Sequence, residues 1–471
     1  MKFLKYLFII IVPNILLAQQ TWTLQDCVNR AIEMNISIKQ SQLDYAGSEI
    51  QKQGAIGNFL PNINIGSNHS WNIGLNQNIT TGLLENVTTQ FTSMNLSMNV
   101  NLYGGLQNIN RLHRANLSIL ASQYQLEDMT ENVALLVANS YLQILFSKES
   151  LAVQKLQLDI TINQLKRIKE LVNSGVVPKG DLYEIEANLA SQEKNLVDAQ
   201  NRFYLSKISL AQLLLIDDFE NFEIANETYD IPISDVMSKT PEEIFSYAVS
   251  NKTEIKVFET NLEIAKKDLE ISKALLKPSL SAFYSYSSRI GYSDRLIPTD
   301  EISFTPIGVV EGTGERVVAP YTKMTTSSPQ SFSKQFDLNA GQNFGLSLNI
   351  PILNNLSRRS NVNQTKINIL RTENSLEQKK LDLENTVNQS FTDSKGAYKA
   401  YLASQKLVKA RELAFEYAEN KFEVGAMNSF DFTQAKQRFE LAQSELIRTK
   451  YDYIFKLKVL EFYFGVPITV N

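Results

Sequence analysis

Apolar residues recur at every seventh position through two long stretches of the chain. Leu182, Leu189, Leu196, Phe203 and Leu210 form one series, and Leu151, Leu158, Leu165 and Val172 form another just upstream. A seven-residue step is a coiled-coil seam, narrower than the apolar face of an ordinary globular helix. Both series return after a shift of 250, as Phe432, Phe439, Leu446, Tyr453, Leu460 and as Tyr401, Val408, Phe415, Phe422. The correspondence runs without a gap from 100–215 to 350–465, carrying Gly175 onto Gly425 and Asp181 onto Asp431. The chain therefore repeats a pair of long helices that turns back at a glycine. If continuous, the helix over 105–173 is about 100 Å long and its partner over 181–216 about half that, at ~1.5 Å per residue. Helices of such length pack along neighbours as a bundle or tube. A second seam reads Ile185, Gln192, Ala199, Ser206, Leu213, with Ala435, Ala442, Thr449, Lys456, Tyr463 as its copy. Its small and polar members suit a helix packed on both sides around a wide ring.

A shorter unit precedes each long pair. Residues 23–59 read as one helix, capped by Thr23 with Asp26 three residues on, and ending before Pro61. The unit returns over 240–277, with Thr23 on Thr240 and Pro61 on Pro278, a shift of 217. The shift grows from 217 to 250 across the strands, so the second copy holds 33 extra residues there.

Four strands alternate with period two. Ile63, Ile65, Ser67, His69, Trp71, Ile73 and Leu75 alternate with Asn62, Asn64, Asn68, Asn72 and Asn76. Met94, Leu96, Met98, Val100 and Leu102 alternate with Ser93, Asn95, Ser97, Asn99 and Asn101. Leu280, Ala282, Tyr284 and Tyr286 face away from Ser281, Ser285 and Ser287, with Phe283 breaking the pattern. Phe344, Leu346, Leu348 and Ile350 close the set against Asn343, Gly345, Ser347 and Asn349. Any one of these suits a half-buried strand of a soluble sheet. Together they are about as long as bilayer-crossing strands, and their polar faces carry almost no charge, where a soluble sheet exposes Lys and Glu. Four strands cannot close a membrane barrel, and open edges are forbidden in lipid, so several chains must share one barrel. Residues 78–90 read as a short outward loop. Residues 291–341, with Pro298, Pro306, Pro320 and Pro329, read as a long irregular one without a site. The linker 217–239 includes a short candidate strand over 219–224.

Composition narrows the function. Lys2 and Lys5 before the apolar run 7–12, with Ala18 following, form a secretory signal peptide over 1–18. The single cysteine, Cys27, excludes an internal disulfide and reads as a buried thiol. The 46 Lys and Arg against 50 Asp and Glu give a net charge of −4, which points to no nucleic-acid partner. His69, His113 and Cys27 lie apart, without metal-ligand spacing, and no glycine-rich phosphate loop follows a strand. Neither an enzyme nor a cofactor is expected. Met94 and Met98 read as lipid-facing side chains rather than as a copper relay.

The signal peptide, tandem repeat, two strand pairs and glycine-tipped helix pairs resemble the TolC family of outer-membrane efflux proteins across essentially the whole mature chain. The family tip, Gly-x-x-Ser/Thr-x-x-Asp-Leu, is similar to Gly175-Val176-Val177-Pro178-Lys179-Gly180-Asp181-Leu182 and to Gly425-Ala426-Met427-Asn428-Ser429-Phe430-Asp431-Phe432. Pro178 and Asn428 replace its Ser/Thr. The resemblance implies a mainly α fold with membrane β strands. Three copies would share a 12-stranded outer-membrane barrel, four strands each, continued by a long periplasmic helical barrel.

The implied function is the outer-membrane exit of a tripartite efflux or secretion system, fed by an inner-membrane transporter and a periplasmic adaptor. A type I protein-secretion or metal-efflux conduit of the same family is the alternative, and a periplasmic coiled-coil adaptor the more distant one. The adaptor would dock at the tips Gly175, Pro178, Gly425 and Asn428. Asp431 and Asp181 are gate candidates, although each also suits the positive end of a helix. Family members often carry a Tyr before the second glycine, an Arg after it and another Asp one turn on; Phe422, Met427 and Gln434 stand there. A hydrogen-bonded latch of that kind is absent, which implies a more weakly held closed state.

The expected divisions are 1–18, signal peptide; 19–60, first-repeat helix; 61–103, barrel hairpin; and 104–216, long helical hairpin. They continue as 217–239, equatorial linker; 240–277, second-repeat helix; 278–353, second barrel hairpin with its external loop; 354–465, second helical hairpin; and 466–471, tail.

Overall fold

The computed structural model describes residues 21–78, 82–225 and 234–466. The signal segment 1–18, part of the linker and most of the 466–471 tail lie outside the described residues. The first repeat runs β1 (Thr21–Trp22), α1 (Leu24–Met34), α2 (Ile36–Gly57), β2 (Asn62–Gln77), β3 (Leu84–Gly104), α3 (Gln107–Asn173), α4 (Lys179–Leu213) and β4 (Glu223–Ile224). The second runs α5 (Pro241–Asn251), α6 (Thr253–Ala274), β5 (Ser279–Gly291), β6 (Arg295–Val309), β7 (Arg316–Ser327), α7 (Phe332–Leu338), β8 (Gly341–Asn349), α8 (Ser357–Glu423) and α9 (Ser429–Tyr463), after a single 3-10 turn at Asp235–Ser238. Corresponding helices match in length: 11 residues in α1 and α5, 22 in α2 and α6, 67 in α3 and α8, and 35 in α4 and α9.

The single helix expected over 23–59 is instead two. Asn35 takes an extended conformation at φ −58° and ψ 131°, and its Oδ1 accepts from Ser37 N at 2.9 Å, so it ends α1 and caps α2. Lys252 breaks the copy over 240–277 in the same way, at φ −64° and ψ 128°. The caps at the other ends are as read. Thr23 and Asp26 exchange bonds of 3.1 and 3.2 Å, and Thr240 and Glu243 exchange bonds of 2.8 and 3.2 Å. The Thr23 bonds hold the Asp26 carboxyl below its usual range.

The fold forms two compact units. The helical unit takes 117–264 and 369 onward, together with the chain up to 49. Its largest core gathers Cys27, Ala31 and Ile38 with Val137, Tyr141, Leu210, Leu214, Phe222, Ile224 and Ile454. Cys27 is fully buried. The candidate strand over 219–224 shortens to β4, which pairs parallel with β1 through Thr21↔Glu223 and Trp22↔Ile224. A second core joins Val236, Ile244, Ala248 and Ile255 to Leu383, Val387 and Leu460.

The other unit, 50–116 and 265–368, is built on a four-stranded antiparallel sheet of order β2-β3-β5-β8. Its register sorts the side chains cleanly. Ile65↔Leu96↔Tyr286 and Ile63↔Met98↔Tyr284↔Phe344 share one face; Asn64↔Ser97↔Ser285↔Asn343 share the other. The apolar face is bare in the single chain, with Ile65 82% and Ile73 83% exposed. Phe283 does lie on the polar face, and its ring occupies the space above Gly345, where a Cβ would meet it at 3.0 Å. His69 lies on the apolar face beside Trp71, with ring centroids 4.2 Å apart, and its Nδ1 is 2.8 Å from Thr92 Oγ1.

Two loop expectations are corrected here. β3 starts at Leu84, so most of 78–90 belongs to the hairpin ladder. Residues 291–341 are not irregular: β6 and β7 pair as a separate antiparallel hairpin, and α7 follows. Arg295 through Ser327 accounts for the 33 residues by which the second copy exceeds the first. Where β8 stops, α7 covers the edge of β5: Gln335 accepts from Gly291 N and donates to Gly291 O, both at 2.9 Å.

Candidate functional site

Both long hairpins turn by the same backbone device. Gly175 and Gly425 adopt φ of 77° and 74°, the left-handed region that glycine enters without strain. Around them the chain closes a pair of bonds that satisfies the last carbonyls of the helix. Val176 N reaches Leu171 O at 2.9 Å and Gly175 N reaches Val172 O at 3.0 Å. In the copy, Ala426 N reaches Lys421 O at 2.8 Å and Gly425 N reaches Phe422 O at 3.1 Å. The returning helices start differently. Asn428 Oδ1 accepts from Asp431 N at 2.8 Å, and its Nδ2 donates to Asp431 Oδ2 at 2.9 Å. Pro178 occupies the equivalent place and makes no side-chain cap.

The sequence-derived candidates separate accordingly. Asn428 and Asp431 are brought together as cap and first-turn acid, both exposed at the tip. Phe422 and Met427 pack into an apolar knot with Phe415, Phe432 and Phe439. Phe422 stacks on Phe432 at 4.6 Å and Phe415 on Phe439 at 5.5 Å. Gln434 is exposed. Asp181 is half-buried in the first turn of α4.

Sequence reasoning missed the polar ties between the hairpins. Arg167 of α3 donates to Glu423 Oε1 at 3.0 Å and to Glu423 O at 3.2 Å, two residues before Gly425. Further along, Lys436 of α9 is buried and donates to Thr161 Oγ1 at 2.6 Å and to Gln164 Oε1 at 3.2 Å, with Glu440 3.6 Å away. Gln192 of α4 donates to Glu440 at 3.0 Å, and Gln157 of α3 donates to Gln443 at 2.7 Å. Burial pushes the Lys436 ammonium below its ordinary range and the Glu440 carboxyl above its own, each opposed by the other's charge. This layer joins α3 and α4 to α9: the buried Lys436 and Glu440 sit on one helix, and a slide of the apolar seams would strip them of their hydrogen-bond partners Thr161, Gln164 and Gln192. Such an arrangement supplies mechanical register.

A family model described as outer membrane efflux protein matches residues 27–214 and 245–466. The chain belongs to the outer membrane efflux protein family. The two intervals coincide with the two repeats and include both tips and both strand pairs. The pyoverdine export outer membrane protein OpmQ of Pseudomonas aeruginosa is 27% identical over 196 residues. That match covers 41% of this chain and 40% of OpmQ, less than half the length of the relative. Among solved structures, the outer membrane channel CmeC of Campylobacter jejuni superposes with a TM-score of 0.76 at 15% identity, over 94% of this chain and 85% of that one. The transmembrane channel CusC gives 0.75 at 15% identity, over 94% and 91%. These likenesses are of fold. They agree with the fold that the family membership implies.

Proposed function

We propose that three copies of this chain assemble into one exit duct, each lending its four strands to a shared 12-stranded barrel and its helical hairpins to the periplasmic part of the conduit. The observation that carries this reading is the two-faced sheet. Its apolar side needs lipid, its Asn- and Ser-lined side needs water, and its outer strands β2 and β8 need partners that a single chain cannot offer. Trp71 and Tyr292 flank His69 at the level where β5 ends, an aromatic cluster of the kind found at membrane interfaces.

At the second tip, threefold assembly turns the exposed Asp431 into a ring of three carboxylates that favours cations and narrows the periplasmic entrance. Asn428 holds each carboxylate in place. Asp181 lies at the tip of the other hairpin, and the tips at Gly175, Pro178, Gly425 and Asn428 offer turns on which a periplasmic adaptor can dock. OpmQ is named for pyoverdine export; in the present chain an inner-membrane transporter would set the cargo.

The test is the mass of the detergent-solubilised full-length protein, followed by its conductance in a planar bilayer. A trimer with a small resting conductance that rises in Asp431→Ala is expected. A monomer that passes no ions defeats the reading, and an unchanged resting conductance in the variant removes Asp431 from the gate.

A further inference from the structure

The polar face of the sheet carries a built cleft with no part in the reading above. It has a volume of about 610 Å³ and lies where β2, β3 and β5 reach the root of the β6–β7 hairpin. Asn76, Thr89, Phe91 and Arg289 line it from the polar face, and Arg295 and Gln330 line it from the segments beyond. Two guanidinium groups therefore border one cavity, and among the described residues no carboxylate lines it. The sequence neighbours Asp294 and Asp337 are not among the lining residues.

Each arginine is held by a neutral side chain. The Arg289 guanidinium carbon lies over the Phe91 ring, 4.0 Å from its centroid, a cation–π contact that consumes no N–H donor. Arg295 donates through both terminal nitrogens to the Gln330 amide oxygen, turned toward it, at 2.9 Å each. The wall behind is fixed. Gln335 clamps both backbone groups of Gly291 and donates to Gln330 O at 2.7 Å, while Asn339 donates to Arg289 O at 2.5 Å. Fixed cations with side-chain amides around a cavity of this size form a site for an oxyanion on a small molecule.

We infer that this cleft binds a small phosphate- or carboxylate-bearing solute, through Arg289 and Arg295, on the water-lined face of the strands. The site rests on the channel reading for its place in transport but not for its chemistry. Each copy would set two cations at the outer end of the duct, opposite in sign to Asp431. Outer-leaflet lipid also carries phosphate, but its headgroups would meet the apolar face, not this one.

The test uses the full-length protein with inorganic phosphate and citrate as probes. Calorimetric titration in neutral detergent should show binding that falls about tenfold or more in the double variant Arg289→Gln, Arg295→Gln. The double Lys variant should keep most of it, and Lys323→Gln, on the β6–β7 hairpin, should leave it unchanged. In a planar bilayer either probe, added on one side only, should reduce current through the parent and not through the Gln variant. The Gln variant's reversal potential should also move toward cation preference. Equal titrations for parent and Gln variant, or a site that answers only to lipopolysaccharide headgroups, would overturn the inference. A pore that does not conduct would count against the channel reading alone, because the titration reads the site without it.

Discussion

Lys436 is buried with one carboxylate near it, and its neutral partners Thr161 and Gln164 both come from α3. Lys436→Met would leave Glu440 buried beside Gln192 without its counter-charge, at a cost of about 3 kcal/mol. The double variant Lys436→Met, Glu440→Leu should recover most of that loss, since two apolar side chains need no desolvation. Thermal unfolding followed by circular dichroism separates the two outcomes. The tip caps give a smaller contrast. Asn428→Ala should cost about 1 kcal/mol, and Pro178→Ser should add a cap where the first hairpin has none. Asp128 gives the pH dependence. Burial first, then Glu254 and Glu131, raise its carboxyl above the ordinary value of 3.8, against Lys379 and Lys252. A carboxyl raised by folding stabilises the protein fully below its ordinary value, and that contribution is lost as pH rises through the raised one. Asp128→Asn should therefore flatten the decline in melting temperature between pH 4 and 7 and exceed the parent at the upper end.

At the scale of elements, glycine position decides the sign of a substitution. Gly425→Ala forces a side chain into φ 74° and should cost about 1 kcal/mol at the tip. Gly54 sits within α2 with nothing within 4 Å of an added Cβ, so Gly54→Ala should stabilise by about 0.5 kcal/mol. Paired melts of the two variants check the opposite signs. The seams, the turns and the four sheet strands were legible because each is written in local periodicity or in a single glycine. The β6–β7 hairpin was not, because Pro298, Pro306 and Pro320 read as breakers. In a two-stranded ladder every strand is an edge, and proline fits wherever its nitrogen faces outward. The break at Asn35 was hidden by an uninterrupted helical composition on both sides. The ties Arg167–Glu423 and Lys436–Thr161 join residues more than two hundred positions apart, and no local pattern announces such a pair. Asp431 was found from a motif, whereas Phe422 and Met427 drew notice for what they lack and turn out to pack the tip.

At the scale of the whole molecule, the two faces of the sheet make opposite demands on charge. Ile65→Lys places an ammonium on the apolar side and should cost about 2–4 kcal/mol in lipid, lowering the yield of folded oligomer in membranes. Asn64→Lys, one residue away on the polar side, should assemble normally. Comparing the yield of folded protein of the two variants in the membrane fraction reads the difference directly. The matched helices imply a second rule: deleting seven residues from α8 alone sets its tip out of step with that of α3. The β6–β7 ribbon is free of that constraint. Ile297 and Thr325 stand opposite each other in its ladder, so the segment between them begins and ends at neighbouring points. It can be replaced by a foreign peptide without moving either end, which makes it the place to carry a tag.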